Sequence, residues 1–308
     1  MTGILLINMG SPSSQKEMKE FLLNMLSDKA ILPFPTIPRK ILAFMISNIR
    51  HRSSWEKYEL IGGSPLKAAM TAIQGDLTTE LDKNYHLYTA YSYSKPSIKN
   101  AAKYFSEKGI TDIKVLSMYP HTSITTTGSI ETDIEKAKKS FPELNFSIYG
   151  PYAMHKKYLE YCVSLIVETA AKNHFTHPTL VFSAHAIPSY LLERGDTYVE
   201  ELKEAAQEMA KQMEAPYRLA FQSKIGRVEW VGPDTKDLLK DLKKEGCDQI
   251  IMVPISFINE NLETLYDLDV EIIPYAKEIG IKEICRVQLP PSHPILIDTF
   301  KQIITQEA

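Results

Sequence analysis

Apolar positions along the chain fall into two recurring patterns. Short runs with strand character occur at Gly3–Met9, Tyr85–Tyr93, Ile113–Tyr119 and Asn145–Tyr149 in the first half. The second half repeats the rhythm at Thr179–Ala184, Tyr217–Gln222, Gln249–Ser256 and Glu283–Gln288. Stretches of helical period separate most of them. Strands alternating with helices predict an α/β fold with parallel sheets covered on both faces. Continuous apolar runs such as Ile250-Ile251-Met252-Val253 suit strands buried on both sides. The rhythm divides near Gly150-Pro151 into two lobes, residues 1–150 and 151–308. A helix at about His155–Ala171 opens the second lobe, and a last helix at Pro294–Thr305 is expected to return to the first. Open α/β lobes bind ligands at the carboxyl ends of their strands, so a crevice between the lobes is the expected site.

Residues 15 to 58 break this rhythm. Met18, Phe21, Leu22, Met25 and Leu26 lie at i, i+3, i+4, i+7 and i+8, one apolar helical face. Ile31-Leu32-Pro33-Phe34-Pro35 follows, then a second apolar helix at about Ile37–Ile49. Two readings stand: a helical pair packed on the sheet, or an apolar lip for a greasy substrate or a membrane surface.

Composition narrows the function classes. With 35 basic and 38 acidic side chains the net charge is −3, which argues against nucleic acid as a partner. No apolar run reaches the roughly 18 residues of a membrane span. The amino terminus lacks a basic leader pattern, so a cytoplasmic protein is expected, with room for contact at the inner membrane face. Cys162, Cys247 and Cys285 are far apart and form no CxxC pair. A zinc ribbon or cysteine-ligated cluster is therefore not expected.

Of the eight histidines, His185 directly follows a buried strand, in Val181-Phe182-Ser183-Ala184-His185. That is where open α/β sheets keep their sites, although a structural histidine fits there too. After the strand at Gln249–Ser256 comes Asn259-Glu260-Asn261-Leu262-Glu263. Glu263, Asp267 and Glu271 recur every four residues, and an α-helix would stack them about 6 Å apart. Either they form a solvated acidic face with Asn259 as N-cap, or they bind hard cations or relay protons. A neutral imidazole opposite a carboxylate can hold Fe²⁺ transiently or accept substrate protons. Gly62-Gly63-Ser64 and Thr125–Ser129 are only loosely like anion cradles. No nucleotide-binding glycine motif and no serine-hydrolase elbow is present.

At these residues the chain resembles the ferrochelatase family, over nearly its whole length. The resemblance rests on Leu6-Ile7-Asn8-Met9-Gly10-Ser11-Pro12, Tyr58 through Pro65, Tyr119-Pro120 with Thr127-Gly128-Ser129, and Ser183-Ala184-His185 with Gly195-Asp196. It continues through Phe221-Gln222-Ser223-Lys224-Ile225-Gly226, Glu229-Trp230, and Leu262 through Asp269. Each motif is short; their order and spacing together are specific. The resemblance implies two Rossmann-like lobes, each with a parallel four-stranded sheet, and insertion of Fe²⁺ into a porphyrin at the end of haem synthesis. Fe²⁺ is then a substrate, with no permanently bound cofactor.

By the same resemblance His185 is the proton acceptor and a metal contact, and Glu263 is the metal-site carboxylate. Asp267 and Glu271 continue that row toward metal or proton transfer. Propionate positions fall on Arg50 (Arg52 being a near rival), Tyr58, Ser64 and Ser223. Met9, Tyr93 and Trp230 become walls of the porphyrin pocket. Members that metallate coproporphyrin usually carry Tyr at the position of Met9, so Met9 and the long apolar lip imply protoporphyrin IX. The partners implied are porphyrin, Fe²⁺ and a membrane surface or the preceding pathway enzyme. Where the family usually has a second histidine this chain has Asn261, which can hydrogen-bond but cannot titrate. The cysteine extension of animal-type members has no counterpart before Ala308, so no iron–sulfur cluster is expected. A non-catalytic porphyrin carrier is the competing reading, and the acidic row separates the two, because a carrier needs no path for metal or protons.

Overall fold

A computed structural model describes residues 1–306 except 225 and 227. Ile225 of the glycine motif quoted above and Ala308 thus lie outside the described residues. The chain forms two compact units. One comprises Met1–Gly150 with the described residues from Pro291 onward, and the other Pro151–Pro290.

The first unit runs β1 (Thr2–Asn8), α1 (Gln15–Leu26), α2 (Thr36–Leu60), α3 (Leu66–Glu80), β2 (Tyr85–Tyr91), α4 (Ile98–Glu107), β3 (Asp112–Ser117), α5 (Thr127–Ser140) and β4 (Asn145–Ile148). Its sheet is parallel, in the order β2-β1-β3-β4. Ile4, Leu5, Leu6 and Ile7 of central β1 are fully buried, which is why that segment reads as a continuous apolar run. The second unit runs α6 (Lys156–Lys172), β5 (Thr179–His185), α7 (Tyr190–Glu193), α8 (Tyr198–Gln212), β6 (Tyr217–Gln222), α9 (Thr235–Lys244) and β7 (Gln249–Val253). A π-helix (Glu263–Ile272), α10 (Ile273–Glu278) and β8 (Glu283–Arg286) complete it. Its sheet, β6-β5-β7-β8, is again parallel. The last helix, α11 (Pro294–Thr305), belongs to the first unit. There Lys301 pairs with Glu80 at 3.2 Å and the Tyr149 hydroxyl donates to the Ile304 carbonyl at 3.0 Å.

The strand order locates the sites. From β5 the chain adds β6 on one side and then crosses to add β7 on the other. The carboxyl ends of β5 and β7 therefore flank a topological switch point, and β1 and β3 do so in the first unit.

Three segments left open by the sequence take definite form. The α1 stripe is not an exposed lip: Met18, Phe21 and Leu22 are buried, because α1 packs along α2. The exposed apolar surface lies instead on α2, at Ile37, Ile41, Phe44, Met45 and Ile49. The Gly62-Gly63 turn stops α2. Gly62 and Gly63 have φ of +74° and +94°, and their N–H groups donate to the carbonyls of Glu59 and Tyr58 at 3.0 and 2.7 Å. This is the Schellman pattern, which favours glycine because the left-handed conformation strains other residues. The Thr125–Ser129 hydroxyls also serve the backbone locally. The Ser123 carbonyl accepts from Thr126 N–H, Gly128 N–H and the Thr127 hydroxyl, which starts α5.

Candidate functional site

His185 is the last residue of β5 and lies in register with Gln222 of β6. Gln222 is buried; its amide oxygen accepts from the Ser183 hydroxyl at 2.7 Å, and its Nε2 donates to the Glu263 carbonyl at 3.1 Å. One glutamine thus ties the end of the histidine strand to the first residue of the π-helix. The Asp196 carboxylate accepts the Tyr198 N–H at 3.0 Å as α8 begins. The buried Tyr198 ring reaches Ser256, beyond β7, with an O···O distance of 2.6 Å. The residues after β5 and β7 are therefore braced to each other by hydrogen bonds.

The electrostatics of the two central groups diverge. Burial lowers the His185 pKa to about 4 from 6.5, and its Nδ1 is buried without a hydrogen-bond partner. The ring is therefore neutral at pH 7 and has a lone pair to offer. Burial, with the nearby Asp267 charge, raises Glu263 to about 7. A carboxyl with that pKa gains and loses protons at physiological pH. Two titratable groups pushed apart by their surroundings, one a neutral base and one a carboxyl poised near 7, are suited to moving protons.

The helix carrying Glu263 is wider than the α-helix expected. Ile273 N–H donates to the Leu268 carbonyl, five residues back. Pro274, which has no N–H, follows at the start of α10. Spacing of four residues keeps Glu263, Asp267 and Glu271 roughly in line in either helix, so the sequence pattern could not tell the two apart. Exposure rises along the row: Glu263 and Asp267 are half-buried and Glu271 is exposed beside Tyr266. Capping also differs from expectation. Asn261, not Asn259, accepts the Thr264 N–H at 3.0 Å, while the Thr264 hydroxyl accepts the Asn261 N–H at 3.0 Å. Asn261 thus has a definite structural task, tying its side chain and backbone to Thr264 at the start of the wide helix.

The remaining expected residues are placed as follows. Met9 follows β1, and its carbonyl accepts the Tyr93 N–H at 3.0 Å, so those two are neighbours. Tyr93 is buried, meets Phe21 edge-on, and donates its hydroxyl to Asp28 at 2.9 Å. Tyr58 is buried on α2 and stacks on Trp55, whereas Arg50 and Arg52 are exposed. The Ser64 hydroxyl accepts the Leu66 N–H at 3.3 Å. Ser223 has φ +66° and donates its hydroxyl to Asp267, which joins it to the acidic row. Trp230 bridges Pro188 and lines a cavity of about 760 Å³ along β6, with Leu192, Val199 and Phe221. Among the described residues no group of three or more His, Cys, Asp or Glu is arranged to hold a metal ion.

His121 did not stand out in the sequence. It lies four residues beyond β3, at the switch point of the first unit, and burial lowers its pKa to about 3. The Met118–Pro120 link separates it from the strand and hides the pattern that marked His185.

Residues 1–308 match the family described as Ferrochelatase. The chain belongs to the ferrochelatase family. These are metal chelatases of the lyase class that act on iron in haem biosynthesis. Ferrochelatase of Desulfotalea psychrophila is 37% identical over 286 residues, covering 91% of this chain and 89% of that protein. Ferrochelatase of Gloeothece citriformis is 35% identical over 317 residues, covering 98% of this chain and 81% of that one. Ferrochelatase of Aquifex aeolicus is 32% identical over 309 residues, covering 99% of both. The ferrochelatase architecture is shared with more distant solved structures. SirB from Bacillus subtilis with Fe³⁺ has a TM-score of 0.60 at 13% identity, covering 99% of this chain and 94% of that one. CbiX, described as the terminal enzyme for biosynthesis of sirohaem in denitrifying bacteria, has a TM-score of 0.56 at 11% identity, covering 100% and 99%. At such identities these two speak for the fold alone.

Proposed function

We propose that the protein inserts Fe²⁺ into protoporphyrin IX to give protohaem, with His185 accepting pyrrole protons and Glu263 serving the metal and proton export. The observation that carries this reading is a neutral imidazole, His185, at the end of β5 in register with Gln222, whose side chain holds the backbone carbonyl of Glu263, a residue whose carboxyl has a pKa of about 7. A free-base porphyrin carries two N–H protons that must leave as the metal enters. The base that takes them must be unprotonated at pH 7, as burial makes His185. Asp267 and Glu271 continue outward from Glu263 and give protons or metal a route to solvent. Neither the acidic row nor a poised carboxyl has a use in a porphyrin carrier.

The choice of porphyrin rests on Met9 and its surroundings. A thioether is apolar and polarizable, and suits a ring edge bearing vinyl groups. Coproporphyrin carries four carboxylates, and each one buried needs a partner. Propionates are assigned to Arg50, Tyr58, Ser64 and Ser223. Measuring kcat/KM with the two porphyrins side by side tests the choice: protoporphyrin IX is expected to be preferred at least tenfold, and a preference for coproporphyrin contradicts it.

A cytoplasmic protein that touches the inner membrane face is the setting that α2 supports. No helix among the described residues is long and apolar enough to cross a membrane. The exposed residues Ile37, Ile41, Phe44, Met45 and Ile49 form one helical face, and residues 36–55 hold Arg39, Lys40, Arg50 and Arg52 with no acid. An apolar face flanked by cations fits an anionic lipid surface, where greasy porphyrin could also be handed over by the preceding enzyme. Co-sedimentation with vesicles containing phosphatidylglycerol is expected for the native chain and lost in an Ile41→Glu/Ile49→Glu variant. Equal sedimentation of both variants contradicts the contact.

A further inference from the structure

The buried Arg286 ends β8, opposite Met252 of β7 in register. Its guanidinium bonds residues on both sides of Glu263 in the chain. Nε and Nη2 donate to the two carboxylate oxygens of Asp269 at 2.8 and 2.7 Å. Nη1 donates to Glu260 at 2.8 Å and to the Val287 carbonyl at 2.8 Å. Glu260 also accepts the Leu289 N–H at 2.8 Å and the Thr264 hydroxyl. Glu260 precedes Glu263 by three residues, and Asp269 follows it by six. The segment carrying Glu263 and Asp267 is therefore fastened on both sides to a paired strand of the sheet.

Buried ion groups of this kind contribute little net stability, since apolar residues of similar volume often do as well. What the arrangement provides is geometry. A planar fork satisfied by two carboxylates admits one placement of the wide helix, and a point charge such as lysine cannot reproduce it.

We infer that Arg286 is a positioning residue that sets the π-helix for the metal step, acting through Glu263 and Asp267. This rests on the proposed role of Glu263. Arg286→Lys keeps the charge and loses the fork. It is expected to keep Tm within a few degrees, to raise KM for Fe²⁺ about tenfold or more, and to leave KM for porphyrin within about twofold. A merely structural residue would not separate the two substrates.

If Arg286→Lys does not fold, the triple variant Arg286→Met/Glu260→Gln/Asp269→Asn removes the buried charges together, and the same selective Fe²⁺ defect is expected of it. The inference is overturned if the folded variant keeps the native KM for Fe²⁺, or if both KM values and kcat worsen together as Tm falls. Glu263→Gln is measured in parallel. If it impairs the metal step while Arg286→Lys does not, only the positioning role fails. If Glu263→Gln spares the metal step, the reading of the site itself fails.

Discussion

Replacing His185 with Ala is expected to lower turnover by about 10²-fold or more while porphyrin still binds, which is the usual scale for a general base. His185 ends β5, and in the role proposed for it the imidazole acts through its lone pair. Its removal leaves the strand pairing of Ser183 and Ala184 with Ala220 and Phe221 in place. Because burial holds the pKa near 4, the native enzyme should lose no activity between pH 8 and 6 through protonation of this ring. The same burial affects stability. The unfolded chain takes up the proton near pH 6.5 and the folded one resists until about 4. His185 therefore withdraws stability as pH falls through that window and has no effect above it. His185→Ala should flatten that part of the stability curve. Near-native turnover in a folded His185→Ala variant would remove this histidine from the mechanism.

Glu263→Gln is expected to cut kcat/KM for Fe²⁺ by about 10² or more, on the same scale, and Glu271→Gln by far less. Both changes keep shape and remove charge. They differ because Glu263 is withdrawn from water beside Asp267, whereas Glu271 is exposed. The raised pKa of Glu263 also fixes a pH dependence. The carboxylate fraction grows as pH rises through about 7, so iron uptake in the native protein should rise along that limb. The Gln variant should lack the limb and stay low throughout. For stability the sign is the reverse of that for His185. Glu263 binds its proton more tightly when folded, so its contribution is present below pH 4.5 and is lost as pH rises toward 7. Small and equal effects of the two substitutions would mark the row as a solvated face.

The central strands were legible because a parallel sheet buried on both faces demands uninterrupted apolar runs there, and Ile4–Ile7 and Ile250–Val253 supply them. His185 stood out as a candidate for a related reason, since it ends such a run, and Glu263 because it opens the acidic row in the segment after another. Features held by distant partners were not. The α1 stripe looks the same whether it meets water or α2, and only the fold shows that α2 covers it. The π-helix left no mark, since carboxylates four apart align in both helix types. Gln222 carried no chemical signal until its bonds to Ser183 and Glu263 were visible. Arg286 was silent because its partners lie 17 and 26 residues away.

The central claim is that this chain metallates porphyrin. Purified protein, protoporphyrin IX and Fe²⁺ mixed without oxygen, in a weak buffer with a pH indicator, test it most directly. The free-base porphyrin bands should be replaced by those of the metallated ring over many turnovers, with two protons released for each ring converted. Stoichiometric binding of porphyrin with no change of those bands and no proton release would contradict the account and leave a carrier in its place.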